Sequence, residues 1–220
     1  MPPGLGCVSP DDAPANPETG WTVGAFGAPE ANDAPPLRVL LVCEANRCRS
    51  PAAEYLLRWE LAARGLTDGI EVASAGLLAA EGIPMDPTMA ELVAARGPDP
   101  VTFRSRWLTD QEIERSGLVL TATREQRSSV LERVPLALRR TFTLLEFAHA
   151  VADPLPAGSD QHGSGWDRLV AAVGAARSRH RPAEYDITDP IGRSRETCEW
   201  VTATIHLAAW QIAERLARPA

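Results

Sequence analysis

The chain has 220 residues, 45% of them hydrophobic, and a formal net charge of −7 at pH 7. That length suits one well-packed α/β domain rather than two, and an acidic chain is a poor candidate for non-specific nucleic-acid binding. Apart from four histidines every basic residue is an arginine, so Schiff-base chemistry and the lysine-containing phosphate loop of P-loop nucleotidases are excluded.

Residues 1–36 are dense in Pro, Gly, Ala and Asp without sustained periodicity and read as a disordered arm. The opening MPPGLGCVSPDD has neither a basic nor an apolar stretch of the kind a secretory signal carries. No apolar run approaches the ~18 residues of a membrane span, so the expected location is the cytoplasm, with no membrane partner. The folded domain is expected over residues 37–220. Leu37 to Val42 reads as a short buried strand. In the helix that follows, Ser50 is the expected N-cap, Pro51 suits the first turn, and Ala52, Tyr55, Leu56, Trp59 and Ala63 fall on one face before Gly65 stops it. Ile70 to Ser74 is a second strand, Pro87 to Arg96 a second helix, Leu118 to Thr121 a third strand and Arg124 to Val134 a third helix. Thr141 to Leu144 is the candidate fourth strand. Asp153 to Gly165 is a loop by composition, a helix is expected from Trp166 to Arg179, and the last helix runs from Arg195 to Leu216 with Val201, Ile205, Ala208, Ile212 and Leu216 inward. Strands alternating with helices predict an α/β fold of three layers, a four-stranded parallel sheet with helices on both faces. Such sheets bind ligands at the carboxyl ends of their strands, which directs attention to the turn after Val42.

That turn reads Cys43-Glu44-Ala45-Asn46-Arg47-Cys48-Arg49-Ser50, a C-x5-R-S sequence between a strand and a helix. A loop of this length can aim successive backbone N–H groups at one point and make an anion nest, reinforced by the positive end of the following helix. Arg49 closes such a phosphate-binding cradle with a planar two-pronged donor. The same positive field favours the thiolate of Cys43 as a nucleophile, and Ser50 can donate a hydrogen bond to its sulfur. A thiolate that accepts a phosphoryl group needs a general acid for the leaving oxygen. Asp86, Asp153 and Asp189 each precede a proline in a loop, and spacing alone does not choose between them. No second Cys/His pair completes a four-ligand zinc set with Cys43 and Cys48, because the remaining Cys7, Cys198, His149, His162, His180 and His206 are scattered, so no metal or cofactor is expected.

The stretch CEANRCRSPAAEYLLR resembles the C-x-x-N-x-C-R-S-P-x-A-E signature of the low-molecular-weight protein tyrosine phosphatases, bacterial type, and similarity continues through Ser74-Ala75-Gly76, Gly82-Ile83-Pro84, Arg106, Leu108-Thr109 and Leu118 to Arg127, over roughly residues 38–216. The resemblance implies Asp189, in Asp189-Pro190 before the terminal helix, as the general acid. It implies a metal-independent phosphomonoester hydrolase in which Cys43 forms a phosphocysteine, Asp189 protonates the leaving group and then activates water, and Arg49 with the amides of Glu44, Ala45, Asn46, Arg47, Cys48 and Ser50 holds the phosphate. The substrate is then a phosphorylated protein or a small phosphomonoester. It further implies a left-handed backbone at Asn46 and a buttressing role for Ser74. Several positions depart from the family: Ala45 replaces a usual glycine, Phe103 a common histidine, Ile191 a usual aromatic, and Leu77-Leu78-Ala79-Ala80 lacks another, so that a substrate ring is expected to meet aliphatic walls. Glu44 should repel acidic peptides and Arg47 attract them. Cys48 is either a partner for a protective disulfide with Cys43 or a small packing residue.

Two other readings stay open. An arsenate reductase of the same fold relays oxidation through further cysteines, and only Cys7 and Cys198 are left for that. A non-catalytic phosphate- or phosphoprotein-binding module would need the cradle alone, and the joint presence of Cys43, Arg49 and Asp189 speaks for an enzyme.

Overall fold

The structure is a computed structural model that describes residues 36–152, 165–176 and 185–217. The arm expected over residues 1–36 (all but its last residue), the expected loop at 153–165 (all but Gly165) and the last three residues of the helix expected over 166–179 lie outside the described residues.

Four strands, β1 (Leu37–Cys43), β2 (Ile70–Gly76), β3 (Leu118–Thr121) and β4 (Thr141–Thr143), form one sheet in the order β2-β1-β3-β4. All three pairings are parallel. β1 is central and covered on both faces, which is why it reads as an unbroken apolar run. Its side chains still obey the two-residue alternation of a strand. Val39, Leu41 and Cys43 join the larger core with Leu56, Leu57, Phe142, Phe147, Val201 and Ile205, whereas Leu40 and Val42 join a smaller core with Ile113, Val119 and Val130. The larger core is closed by α1 (Arg49–Ala62), α2 (Pro87–Ala94), α5 (Leu144–Ala152), α6 (Gly165–Ala176) and α7 (Arg195–Ala217). The smaller is closed by α3 (Asp110–Arg115), α4 (Arg124–Arg133) and a 3-10 turn (Pro135–Arg140). The three-layer α/β arrangement is the expected one. On α7 the predicted inward residues Val201, Ile205, Ala208 and Ile212 are buried, with Leu216 packed at the margin.

α1 differs from expectation in two ways. Its N-cap is Cys48, not Ser50, because the Ser50 hydroxyl turns inward to Asn46 and Cys43. Its buried face holds Leu56, Leu57 and Leu61, while Trp59 is 46% exposed and Ala63 is exposed as well. Two glutamates on that face shift the apparent periodicity. Glu54 is buried against Arg58 at 2.7 Å, and Glu60 against Arg64 and His206. α2 starts where predicted, capped by Asp86, and ends two residues early. α3 and α5 were not expected from periodicity. Each opens on a reciprocal capping box, Thr109 with Glu112 and Thr143 with Glu146, in which hydroxyl and carboxylate satisfy each other's backbone N–H groups. Among the described residues no helix is long and apolar enough to cross a membrane.

Candidate active site

The turn from β1 into α1 forms a closed loop over the carboxyl end of the sheet. Asn46 at its centre has φ 51°, the one non-glycine residue with positive φ among those described, a conformation to which asparagine is suited. Its side chain holds three neighbours at once. Oδ1 accepts the Arg106 N–H at 2.8 Å, and Nδ2 donates to Ser50 Oγ and Ser74 Oγ, both at 2.9 Å. The backbone N–H can only donate, which fixes the orientation of the amide. Both serine hydroxyls therefore pass their own protons onward. Ser74 donates to Glu54, and Ser50 faces Cys43 Sγ at 3.0 Å with the Ala75 carbonyl at 3.3 Å as its other acceptor. The hydrogen bonds thus point outward from the Asn46 amide in two directions, through Ser74 to the buried Glu54 carboxylate and through Ser50 towards the sulfur at the end of β1. Burial pushes the Glu54 carboxyl above its ordinary value, opposed by the Ser74 hydrogen bond and the Arg58 charge. The predicted Ser74 buttress and left-handed Asn46 are both present.

Gly76 explains how closely the loop lies on β2. A Cβ there would stand 2.6 Å from Glu44 O and 2.8 Å from Asn46 N, so only glycine admits the loop backbone. Leu77 N donates to Cys43 O at 3.0 Å and Leu78 N to Glu44 O at 2.9 Å, extending the register of β1 and β2 past the strand ends. On the other side Asp86 N donates to Arg47 O at 2.9 Å. Cys43 and Cys48 are both buried free thiols. Burial, with the nearby Asp86 and Cys43, pushes the Cys48 thiol far up, so Cys48 stays protonated and neutral.

Arg49 opens α1 with its side chain buried. Nη1 donates to Ile187 O at 3.1 Å and Nη2 to Asp189 Oδ2 at 2.7 Å, while Nε is buried without a hydrogen-bond partner. The segment carrying Asp189 is strapped down along its length. Ile187 N donates to Ala122 O at 2.9 Å, Asp186 pairs with Arg124, and the Cys198 thiol on α7 lies 3.8 Å from Pro190 O. The three Asp-Pro candidates that spacing alone left level have different surroundings. Asp189 meets Arg49, Asp86 caps α2 through Met89 N, and Asp153 lies outside the described residues. Arg47 is half-buried, and its Nε too is buried without a hydrogen-bond partner.

An open groove of about 720 Å³ leads to this cluster, lined by Glu44, Arg49 and Asp189 together with Leu77, Leu78, Trp107 and residues of α4 including Glu125. The expectation of purely aliphatic walls is corrected. Trp107, 46% exposed, supplies an aromatic surface from the loop before α3. Neither Trp107 nor Glu125 was singled out from the sequence, since the site-forming role of each depends on long-range placement. Phe103, where a histidine was noted to be missing, packs edge-on against Tyr55 in the core at 6.1 Å, and Arg106 supports the network instead, with Nη2 donating to Ser74 O at 2.7 Å.

The family model described as low molecular weight phosphotyrosine protein phosphatase matches residues 38–175. A "Probable low molecular weight protein-tyrosine-phosphatase EpsP" of Ralstonia nicotianae is 36% identical over 117 residues, 53% of this chain and 77% of the relative. A protein-arginine-phosphatase of Geobacillus stearothermophilus is 33% identical over 142 residues, 63% of this chain and 92% of the relative. The solved structure of the YwlE arginine phosphatase from Geobacillus stearothermophilus superposes with a TM-score of 0.60 at 28% identity, covering 82% of this chain and 93% of that one. By the match of its sequence and its fold, the chain belongs to the low molecular weight phosphotyrosine protein phosphatase family.

Proposed function

We propose that the protein hydrolyses phosphomonoesters on protein tyrosine, in the cytoplasm and without a metal, through a phosphocysteine on Cys43. Cys43 Sγ attacks phosphorus in line, and the bond to the leaving oxygen breaks as Asp189 gives that oxygen its proton. Asp189 then takes a proton from water, the water oxygen attacks phosphorus, and inorganic phosphate leaves as the thiolate returns. Ser50, oriented by Asn46, donates to the sulfur and makes it a better leaving group in the second step. The amides from Glu44 to Ser50 and the Arg49 guanidinium hold the equatorial oxygens. The unpartnered Nε of Arg49 is the natural donor for such an oxygen. A bound phosphate competes with Asp189 for Nη2, so substrate binding itself would release the carboxyl for proton transfer.

One observation carries this reading: Asp189 is brought, from 140 positions along the chain, to 2.7 Å from the arginine of the loop that begins at Cys43. It is tested by p-nitrophenyl phosphate turnover in EDTA. The parent is expected to turn over, Cys43→Ser to be inactive, and Asp189→Asn to lose on the order of 10²–10⁴ in kcat. A folded parent without turnover overturns it. A second reading, phosphoarginine in place of phosphotyrosine, is favoured by the carboxylates of Glu44, Glu125 and Asp189 around the groove, which suit a guanidinium leaving group. Comparing kcat/KM on phosphotyrosine and phosphoarginine peptides decides between the two.

A further inference from the structure

Among the described residues that line the groove, Trp107 and the Leu77-Leu78 pair form its apolar wall, and that wall is tied directly to the phosphate loop. Trp107 and Leu78 are 46% and 65% exposed, an apolar pair left uncovered beside the deep polar cluster described above. Trp107 is not loosely held. Its backbone N–H donates to Glu81 Oε1 at 2.7 Å, and its backbone also bridges to Gly76, the residue on which the loop rests. The residue before it, Arg106, gives its N–H to Asn46 and takes the Gly76 N–H on its carbonyl at 2.9 Å. The residue after it, Leu108, is fully buried and gives its own N–H to Gly76 O at 2.9 Å. The position of Trp107 is therefore set, one residue away, by the same asparagine that shapes the cradle.

We propose that Trp107 is the specificity-determining platform of this enzyme, against which the aryl ring of the substrate lies while its phosphate sits in the loop. The proposal rests on the phosphatase reading above and names the group the site selects. Aromatic pairs prefer offset or edge contact and contribute beyond area alone, and pockets of this kind combine one apolar wall with a few convergent polar groups. Ile191 and the Leu77-Leu78 pair supply no ring, so the aromatic contact comes from a different segment of the chain, between β2 and β3.

The test compares binding of phenylphosphonate and methylphosphonate by calorimetry on the parent, Trp107→Ala, Trp107→Leu and Trp107→Phe. Phosphonates are not hydrolysed, so the ratio is readable even if turnover fails; absent turnover in EDTA would sink the phosphatase reading and leave this measurement standing. The preference for phenyl over methyl is expected to fall roughly three- to tenfold in the alanine and leucine proteins and to return in the phenylalanine protein. An unchanged preference in both the alanine and leucine proteins overturns the platform. So does a loss in kcat/KM that falls on a phosphoarginine peptide and spares a phosphotyrosine one.

Discussion

At the floor of the groove the side chains that shape the loop hold one another: Asn46 holds Arg106, Ser50 and Ser74, and Ser74 passes its proton to Glu54. At the rim, Leu78 and Trp107 stand open to solvent, and Glu44 and Glu125 line the groove as exposed or half-exposed carboxylates. The floor is buried and cross-linked, so one change there disturbs several groups. The rim side chains do not hold one another, although the Trp107 backbone is anchored to the floor, so replacing one of them is expected to act on one kind of substrate. On the proposed function, the chemistry belongs to the first region and the choice of substrate to the second.

The largest effect is expected where the floor has no slack. In Gly76→Ala the new methyl meets two backbone atoms of the loop, at 2.6 and 2.8 Å, and backbone cannot rotate aside as a side chain can. Urea denaturation should show a loss of about 1–3 kcal/mol, and kcat/KM for p-nitrophenyl phosphate should fall on the order of a hundredfold from the displaced loop. Retention of parental turnover would mean that the loop is not held by this contact. Asn46 comes next, and a pair of variants divides its role. Asn46→Gly removes the three hydrogen bonds but accepts φ 51°. Asn46→Ala removes them and adds left-handed strain, so it should be less stable than the glycine variant by about 1 kcal/mol. Equal stabilities would place the whole effect in the side chain.

Two glutamates of α1 sharpen the comparison in a pH titration. Glu54, behind the loop, has its pKa raised by burial beyond what Ser74 and Arg58 can offset. For Glu60, in the seam with α7, burial also pushes upward, but hydrogen bonds from Arg64 and His206 outweigh it and the pKa is lowered. The signs are opposite. The contribution of Glu54 to stability is present below the ordinary 4.5 and is lost as pH rises through its raised value. That of Glu60 is present above 4.5 and is lost as pH falls through its lowered value. Relative to the parent, Glu54→Gln should therefore gain as pH rises above 4.5, and Glu60→Gln should lose as pH rises towards 4.5. Denaturation midpoints between acidic and neutral pH check both, and parallel curves would show that the two carboxyls do not differ in setting.

The sequence was most legible where one segment does one job. The C-x5-R-S turn, β1 as an apolar run, β3 to the residue and the inward stripe of α7 could all be read from local pattern, because the strand period, the helix period and the loop spacing each act within a few residues. α3 and α5 escaped because they are short and a periodic stripe needs length; their capping boxes, Thr109-x-x-Glu112 and Thr143-x-x-Glu146, were the available signal. The face of α1 was misread because Glu54 and Glu60 are buried by partners elsewhere in the chain, and Ser50 was misassigned as a cap because its bond to Asn46 depends on the loop's left-handed turn. Asp189 could not be told from Asp86 without the family resemblance, since its meeting with Arg49 spans the whole domain. Trp107 had no local signal at all.

The smallest expected effect lies at the rim. Glu44 lies at the groove mouth on the residue next to Cys43, and Glu125 comes from the first turn of α4. Neither is buried, so each acts on a bound peptide through water and salt, where a single charge contributes about 0.2–1 kcal/mol. Glu44→Gln and Glu125→Gln should therefore raise kcat/KM for phosphotyrosine peptides with acidic flanks by no more than roughly fivefold and lower it for basic flanks by a similar factor. Because the interaction is screened over about 10 Å at 0.1 M salt, the difference between the two peptides should shrink as ionic strength rises. The cradle, being buried, should keep its hold on the phosphate under the same change. A salt dependence equal in the parent and both variants would move the selection away from these carboxylates and onto the half-buried Arg47, whose charge would favour the acidic peptide instead.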